Sequence, residues 1–278
     1  MLEALGFDFM RNAVLAGLLC SLACGVIGTY VVVNRIVFLS GGIAHAAYGG
    51  VGLAIFLGLA PLWGIIGVTL TAALVMAAVS LKAKHRADTV IGVIWATGMA
   101  LGVLLLDVTP GYNADLMSYL FGSILTVPVS QLWMMLVMDL VIVLTVGYFY
   151  HDLAALSFDE EFAQVRGVPV KRLYYLLMAL IALSVVMIIQ VVGLILVIAL
   201  LTIPPYIAEK FAGSLFRMML VSIGLNLVFT VSGLWLSYSF NLTSGASIIM
   251  VAAAAFFLVH LAGRLWPAGK PRAAGEGS

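Results

Sequence analysis

Charge is what this sequence has least of. Only 9% of its 278 residues are Asp, Glu, Lys or Arg, against 64% that are hydrophobic. Water-soluble domains carry about 25% charged residues, so a water-soluble globule is excluded. The net charge of +1 leaves no basic surface for a nucleic acid. Cysteine is nearly missing too: Cys20 and Cys24 are the two present, four positions apart in the first apolar run. On a lipid-embedded helix that spacing reads as small-residue packing, not as a metal clip or a disulfide. The segment Met1 to Asp8 has acids where a secretory leader needs a basic region, so no leader is expected there. A Walker-type Gly-x-x-x-x-Gly-Lys-Ser/Thr loop is also missing. Any energy the chain uses must come from an ion gradient or from a partner.

What remains is hydrocarbon in long pieces. The apolar runs last roughly 18–22 residues, the length of a membrane-crossing helix, whereas barrel strands need about 9–11 with alternation. In lipid every backbone polar group must be satisfied internally, which such runs achieve as helices. Reading between Gly, Pro and polar breaks gives about nine candidate spans. They are Asn12–Val33, Gly42–Leu59, Leu62–Leu81, Thr89–Val108, Ser130–Phe149, Leu173–Ile189, Val192–Tyr206, Phe216–Tyr238 and Ser244–Leu265. The fold class expected is all-α, a polytopic integral membrane bundle of about eight to nine transmembrane helices. It occupies residues 1–266, followed by a flexible cytosolic tail, 267–278. Pro110–Pro128 is too polar and turn-rich for a span and reads as an external loop with a short helix or re-entrant piece around Leu116–Ile124.

Basic residues set the expected orientation. Arg35, the Lys82–Arg86 cluster, Lys171-Arg172, Lys210 with Arg217, and Arg264 all fall on one side if the spans alternate. Cytoplasmic loops carry the excess of Lys and Arg, which puts the N-terminus outside and the C-terminus in the cytosol. Arg11 is the exception. The external connections, including Thr109–Val129 and Ser239–Thr243, carry no Lys or Arg.

The one sizeable cytosolic connection, His151–Arg172, contains an acidic island. Asp159, Glu160 and Glu161 sit where a helix should begin, and acids favour that end of the dipole. Small Ala163 would permit close approach of a partner, and Gly167 would turn the chain before Val168-Pro169. A plain solvated helix–turn between two spans is the alternative.

The spacing Glu161-Phe162-Ala163-x-x-x-Gly167 is similar to the Glu-Ala-Ala-x-x-x-Gly loop of ATP-binding-cassette importer permeases. Its Asp/Glu-Glu-x-Ala-x-x-x-Gly-Val form resembles that of the zinc, manganese and iron importer permeases. Three more segments resemble the same family in order along the chain. They are Arg35–Ala54 around His45, Tyr119-Leu120-Phe121-Gly122-Ser123-Ile124-Leu125, and Gly193–Ala208 with Thr202-Ile203-Pro204-Pro205. The resemblance implies a non-enzymatic transport subunit of a bacterial or archaeal cytoplasmic membrane. Its partners would be a cytosolic ATPase, an extracytoplasmic metal-binding protein and a second copy of itself. It implies no permanently bound cofactor, only a transported divalent metal (zinc, manganese or iron), and it assigns ATPase coupling to Asp159, Glu161, Ala163 and Gly167.

His45 is the candidate metal contact. It stands among Ala44, Ala46, Ala47, Gly49 and Gly50, residues that let helices and ligands approach closely. Neutral imidazole suits zinc, iron and manganese, and an ionisable group inside the membrane is a functional hypothesis by default. A structural His bonded to a neighbouring helix is the other reading. The family often has an Asp four residues earlier, where this chain has Gly41. Asp139, near the middle of its span, is the local candidate to replace that carboxylate; a protonated or hydroxyl-bonded side chain is the alternative. Asp107 and Asp115, with Tyr112 and Asn113, are candidates for an acidic external vestibule or an ordinary polar loop. Asn226 reads as a bond between helices. The thirteen Met form no Met-x-x-Met ladder for copper.

Two rivals share the composition. A permease for metal chelates such as cobalamin or siderophores would have about ten spans and a wide apolar passage, a poorer fit to this length and to His45. A gradient-driven secondary transporter needs buried coupling carboxylates and an internal repeat, of which only Asp139 is in evidence.

Overall fold

The computed structural model describes residues 6–82, 87–110, 122 and 124–265, and these are helical with no strand among them. The helices are α1 (Asp8–Val33), α2 (Val37–Phe56), α3 (Pro61–Lys82), α4 (Ala87–Asp107) and α5 (Val129–Tyr148). There follow two short ones, α6 (Tyr150–Phe158) and α7 (Glu160–Val165). The chain then continues through α8 (Val170–Val192), α9 (Leu194–Glu209), α10 (Leu215–Phe240) and α11 (Ser244–Leu265). Eight of them are long and apolar enough to cross a membrane. The ninth predicted span is α9, whose 16 residues make it roughly 24 Å long at 1.5 Å per residue. Asp115, the expected tail 267–278 and most of the Leu116–Ile124 piece lie outside the described residues. A single 3-10 turn covers Ile124–Thr126.

Two groups of helices meet along α8. In one, α2 is packed between α3 and α4; in the other, α1 packs on α10, α9 and α5, and α10 on α11. Most of α1, α2 and α8 is buried, whereas α3, α4, α5 and α11 leave most of their surface free for lipid. Cys20 and Cys24 are free thiols buried in α1, as their spacing led us to expect. Hydroxyls inside the bundle bond mainly to their own helix: Ser21 Oγ donates to the Gly17 carbonyl (2.6 Å) and Thr29 Oγ1 to that of Gly25 (2.7 Å). That satisfies them without a partner helix. Asn226 departs from its predicted role. It is fully buried in α10, and its amide has no hydrogen-bond partner among the described residues.

Both ends of the bundle are defined by what gathers there. Arg35, Ser80, Asp88, Leu156, Glu160 and Tyr174 line one cavity of about 310 Å3, bringing together the α1–α2 turn, the α3 and α4 ends and the α6–α7 segment. Arg35 also shares a cavity with Tyr206 and Glu209 at the end of α9. At the opposite end Asn12 Nδ2 donates to the Val127 carbonyl (3.2 Å). Pro61, Gln131 and Gln190 meet there as well. The predicted basic positions Arg35, Lys82, Lys171, Lys210 and Arg217 therefore belong to a single end.

Candidate functional site

The acidic island folds as a short helix with both ends closed. Asp159 is the N-cap of α7, its carboxylate accepting from the Phe162 amide (2.9 Å), with Glu160 and Glu161 in the first turn. The other end is a Schellman turn. Gly167 at φ +80° donates to the Gln164 carbonyl (2.9 Å), and Val168 donates to that of Ala163 (3.0 Å). Only a left-handed residue closes the turn this way, which is why glycine stands there. Asn34 ties the segment to the bundle, donating both to the Tyr30 carbonyl and to Ser157 Oγ of α6 (2.9 Å).

One expectation here is corrected. Ala163 is fully buried within its own chain, so its small side chain lets α7 lie down on the bundle and does not face a partner. The outward surface is apolar and larger: Phe158 is 70% exposed, Phe162 53% and Val165 87%. Arg166 lies over the Phe162 ring at 5.7 Å.

Inside the bundle His45 is held by α2 against α4. The two helices can approach because glycine faces backbone. A Cβ on Gly98 would come within 2.9 Å of Ala46 Cα, and one on Gly102 within 2.6 Å of the Tyr48 carbonyl oxygen. The His45 ring stacks on the indole of Trp95, centroids 4.0 Å apart and planes 11° apart, and Phe38 leans on the same indole at 5.8 Å. His45 Nδ1 is buried with no hydrogen-bond partner among the described residues, while the ring as a whole is half-buried. The alternative of a histidine bonded to a neighbouring helix is therefore not what the structure shows. Gly41, one turn away, is buried against Ile198 of α9, whose Cδ1 would sit 3.6 Å from an added Cβ. His45 thus opens on the seam between α4 and α9.

The other predicted residues are not brought to this point. Asp139 is 1% exposed in α5, a helix packed on α1, and both its oxygens are without a partner among the described residues. Asp107 is exposed at the last turn of α4, at the Asn12 end of the bundle. No group of three or more His, Cys, Asp or Glu side chains is disposed to hold a metal among the described residues. Trp95 was not singled out in the sequence, although Ile91, Trp95, Gly98 and Gly102 follow the spacing of one helix face.

Eight long apolar helices packed into one bundle, with a capped helix exposed beyond one end of it, make this a multi-pass membrane protein. Residues 6–263 match the ABC 3 transport family, and the chain belongs to that family. It is 53% identical to an uncharacterized membrane protein of Synechocystis over 95% of this chain and 94% of that one. It is 32% identical to the manganese transport system membrane protein MntC of Listeria monocytogenes, over 92% and 91% of the two chains. Among solved structures it resembles PsaBC from Streptococcus pneumoniae in complex with Fab, with TM-score 0.84, 32% identity and 93% of each chain covered. These findings bear out the resemblance drawn from the loop and the three ordered segments.

Proposed function

We propose that this chain is the permease subunit of a binding-protein-dependent importer that moves a divalent transition metal through the cytoplasmic membrane, powered by a separate ATPase. The observation that carries the reading is α7, a capped helix anchored on its buried Ala163 and presenting Phe162 and Val165 outward, with Phe158 at the end of α6 exposed beside them. Apolar side chains this exposed beside charged ones suit a groove on another protein. The end that gathers Arg35, Lys171, Lys210 and Arg217 is the cytosolic one under the positive-inside rule, which puts α7 where an ATPase can reach it. Asp107, with Asp115, would then stand at the external mouth and attract cations.

His45 is the proposed contact for the ion, with Gly41 leaving space beside it. One chain leaves part of the His45 side chain exposed, so a second copy facing it would close the passage and supply a second imidazole. Imidazole accepts zinc, iron and manganese; several relatives are manganese transport or import proteins by name, which favours manganese. A passing ion must be held loosely enough to leave, which a small donor set ensures.

The test is uptake by the permease–ATPase complex in proteoliposomes, with binding protein added outside. Metal should accumulate with ATP inside and continue after ion gradients are dissipated. Uptake that collapses with the gradient would make the chain a secondary transporter instead.

A further inference from the structure

A metal-binding histidine ordinarily donates its second ring nitrogen to a carboxylate, carbonyl or water, and that bond fixes the direction in which the first nitrogen points. Among the described residues His45 has no such bond at Nδ1. Its Nδ1 is buried and unpartnered, and its ring has one neighbour of defined geometry, the indole of Trp95 at 4.0 Å and 11°. The indole is itself held: Phe38 supports it at 5.8 Å, and the glycine approaches of α2 and α4 fix the separation of the two backbones.

Resting on the reading of His45 as an ion contact, we propose that Trp95 is a positioning residue for the passage: its indole takes the place of a hydrogen-bonded second partner, holding the imidazole flat so that Nε2 meets the ion. The face of an indole also attracts positive charge, and an imidazole carrying a metal ion is cationic. Stacking therefore holds the loaded ring more firmly than the empty one. The platform is apolar and offers no oxygen, so the ion meets nitrogen without a competing carboxylate from α4.

Two measurements test this on the intact permease–ATPase complex. In the first, metal dependence of ATP-driven uptake is compared for Trp95→Phe and Trp95→Leu. Loss of a second partner costs roughly 10–100-fold in metal affinity at ordinary sites. Trp95→Leu should raise KM by about tenfold with kcat within about twofold, and Trp95→Phe, which keeps an aromatic face, should stay near the parent. In the second, cobalt(II) is titrated while tryptophan emission is recorded. Trp95 is the tryptophan stacked on a histidine among the described residues, so a saturable quench should disappear in both Trp95→Phe and His45→Ala. An unchanged KM in Trp95→Leu, or a quench that survives Trp95→Phe, overturns the assignment of Trp95 alone. Unchanged uptake and quench in His45→Ala overturns the reading of His45 beneath it.

Discussion

Gly49 of α2 and Gly98 of α4 face each other with no room for a side chain: a Cβ on Gly49 would stand 2.7 Å from the Gly98 carbonyl oxygen. One turn further on, Gly52 and Gly102 repeat the contact, and on the other side of α2 Gly50 meets the Gly64 carbonyl of α3. Helices in lipid gain nothing from burying hydrocarbon against hydrocarbon, so close backbone approach is what holds them. Gly49→Val should therefore push α4 away. Overpacking costs about 1–3 kcal/mol, and the measurement is a lowered melting temperature in detergent together with loss of cobalt quenching, since the His45–Trp95 stack separates with the helices.

Gly167 is a separate case. Nothing lies within 4 Å of an added Cβ there, so its constraint is φ +80° and the two hydrogen bonds of the turn, not space. Gly167→Val should leave membrane insertion and thermal stability of the bundle nearly intact. It should unseat the end of α7, at a local cost of about 1–3 kcal/mol, and uncouple ATP hydrolysis from uptake. Coupled uptake at the parent rate would show that the turn carries no coupling.

Val165→Asp reads the outward face directly. The side chain is 87% exposed, so no packing inside the chain is lost. Co-purification with the ATPase should fall by about tenfold, which corresponds to 1.4 kcal/mol, while the permease remains folded by circular dichroism.

Asp139→Asn separates the buried carboxylate from the passage. Asp139 is buried in α5, which packs on α1, and His45 of α2 lies on Trp95 of α4, so the two are held by different neighbours. The amide keeps the shape and removes the cost of a charge in the bundle. We expect metal KM unchanged and a melting temperature equal to or above the parent's; a several-fold rise in KM would place Asp139 on the ion's route.

Much of this molecule was legible because membrane helices are written in runs. The apolar stretches located all the long helices to within a few residues, although the break at Gly193 fell inside a predicted span and the short α6 fell in a predicted connection. The acid-rich start of α7 was readable from Asp159 because an N-cap is a local bond. Ala163 was misjudged since smallness says only that something is close, not whether it is the chain itself or a partner. Trp95 escaped notice for a related reason: in a lipid-facing run an indole is unremarkable, and only the packing of α2 on α4 brings it to His45. Asn226 likewise looked like an interhelical bond, and whether such a bond forms depends on what stands opposite.

The paired prolines of α9 bear on how the bundle can move. Pro204 and Pro205 have no N–H to offer the carbonyls of Leu200 and Leu201, and the Leu201 oxygen instead lies against Gly28 of α1, where a Cβ would be 2.7 Å away. With two intrahelical bonds missing at this level, a bend there costs α9 less than one elsewhere along it. That level divides α9 into two parts: one carries Ile198, which lies against Gly41 one turn from His45, and the other runs to Glu209 and Lys210 at the basic end.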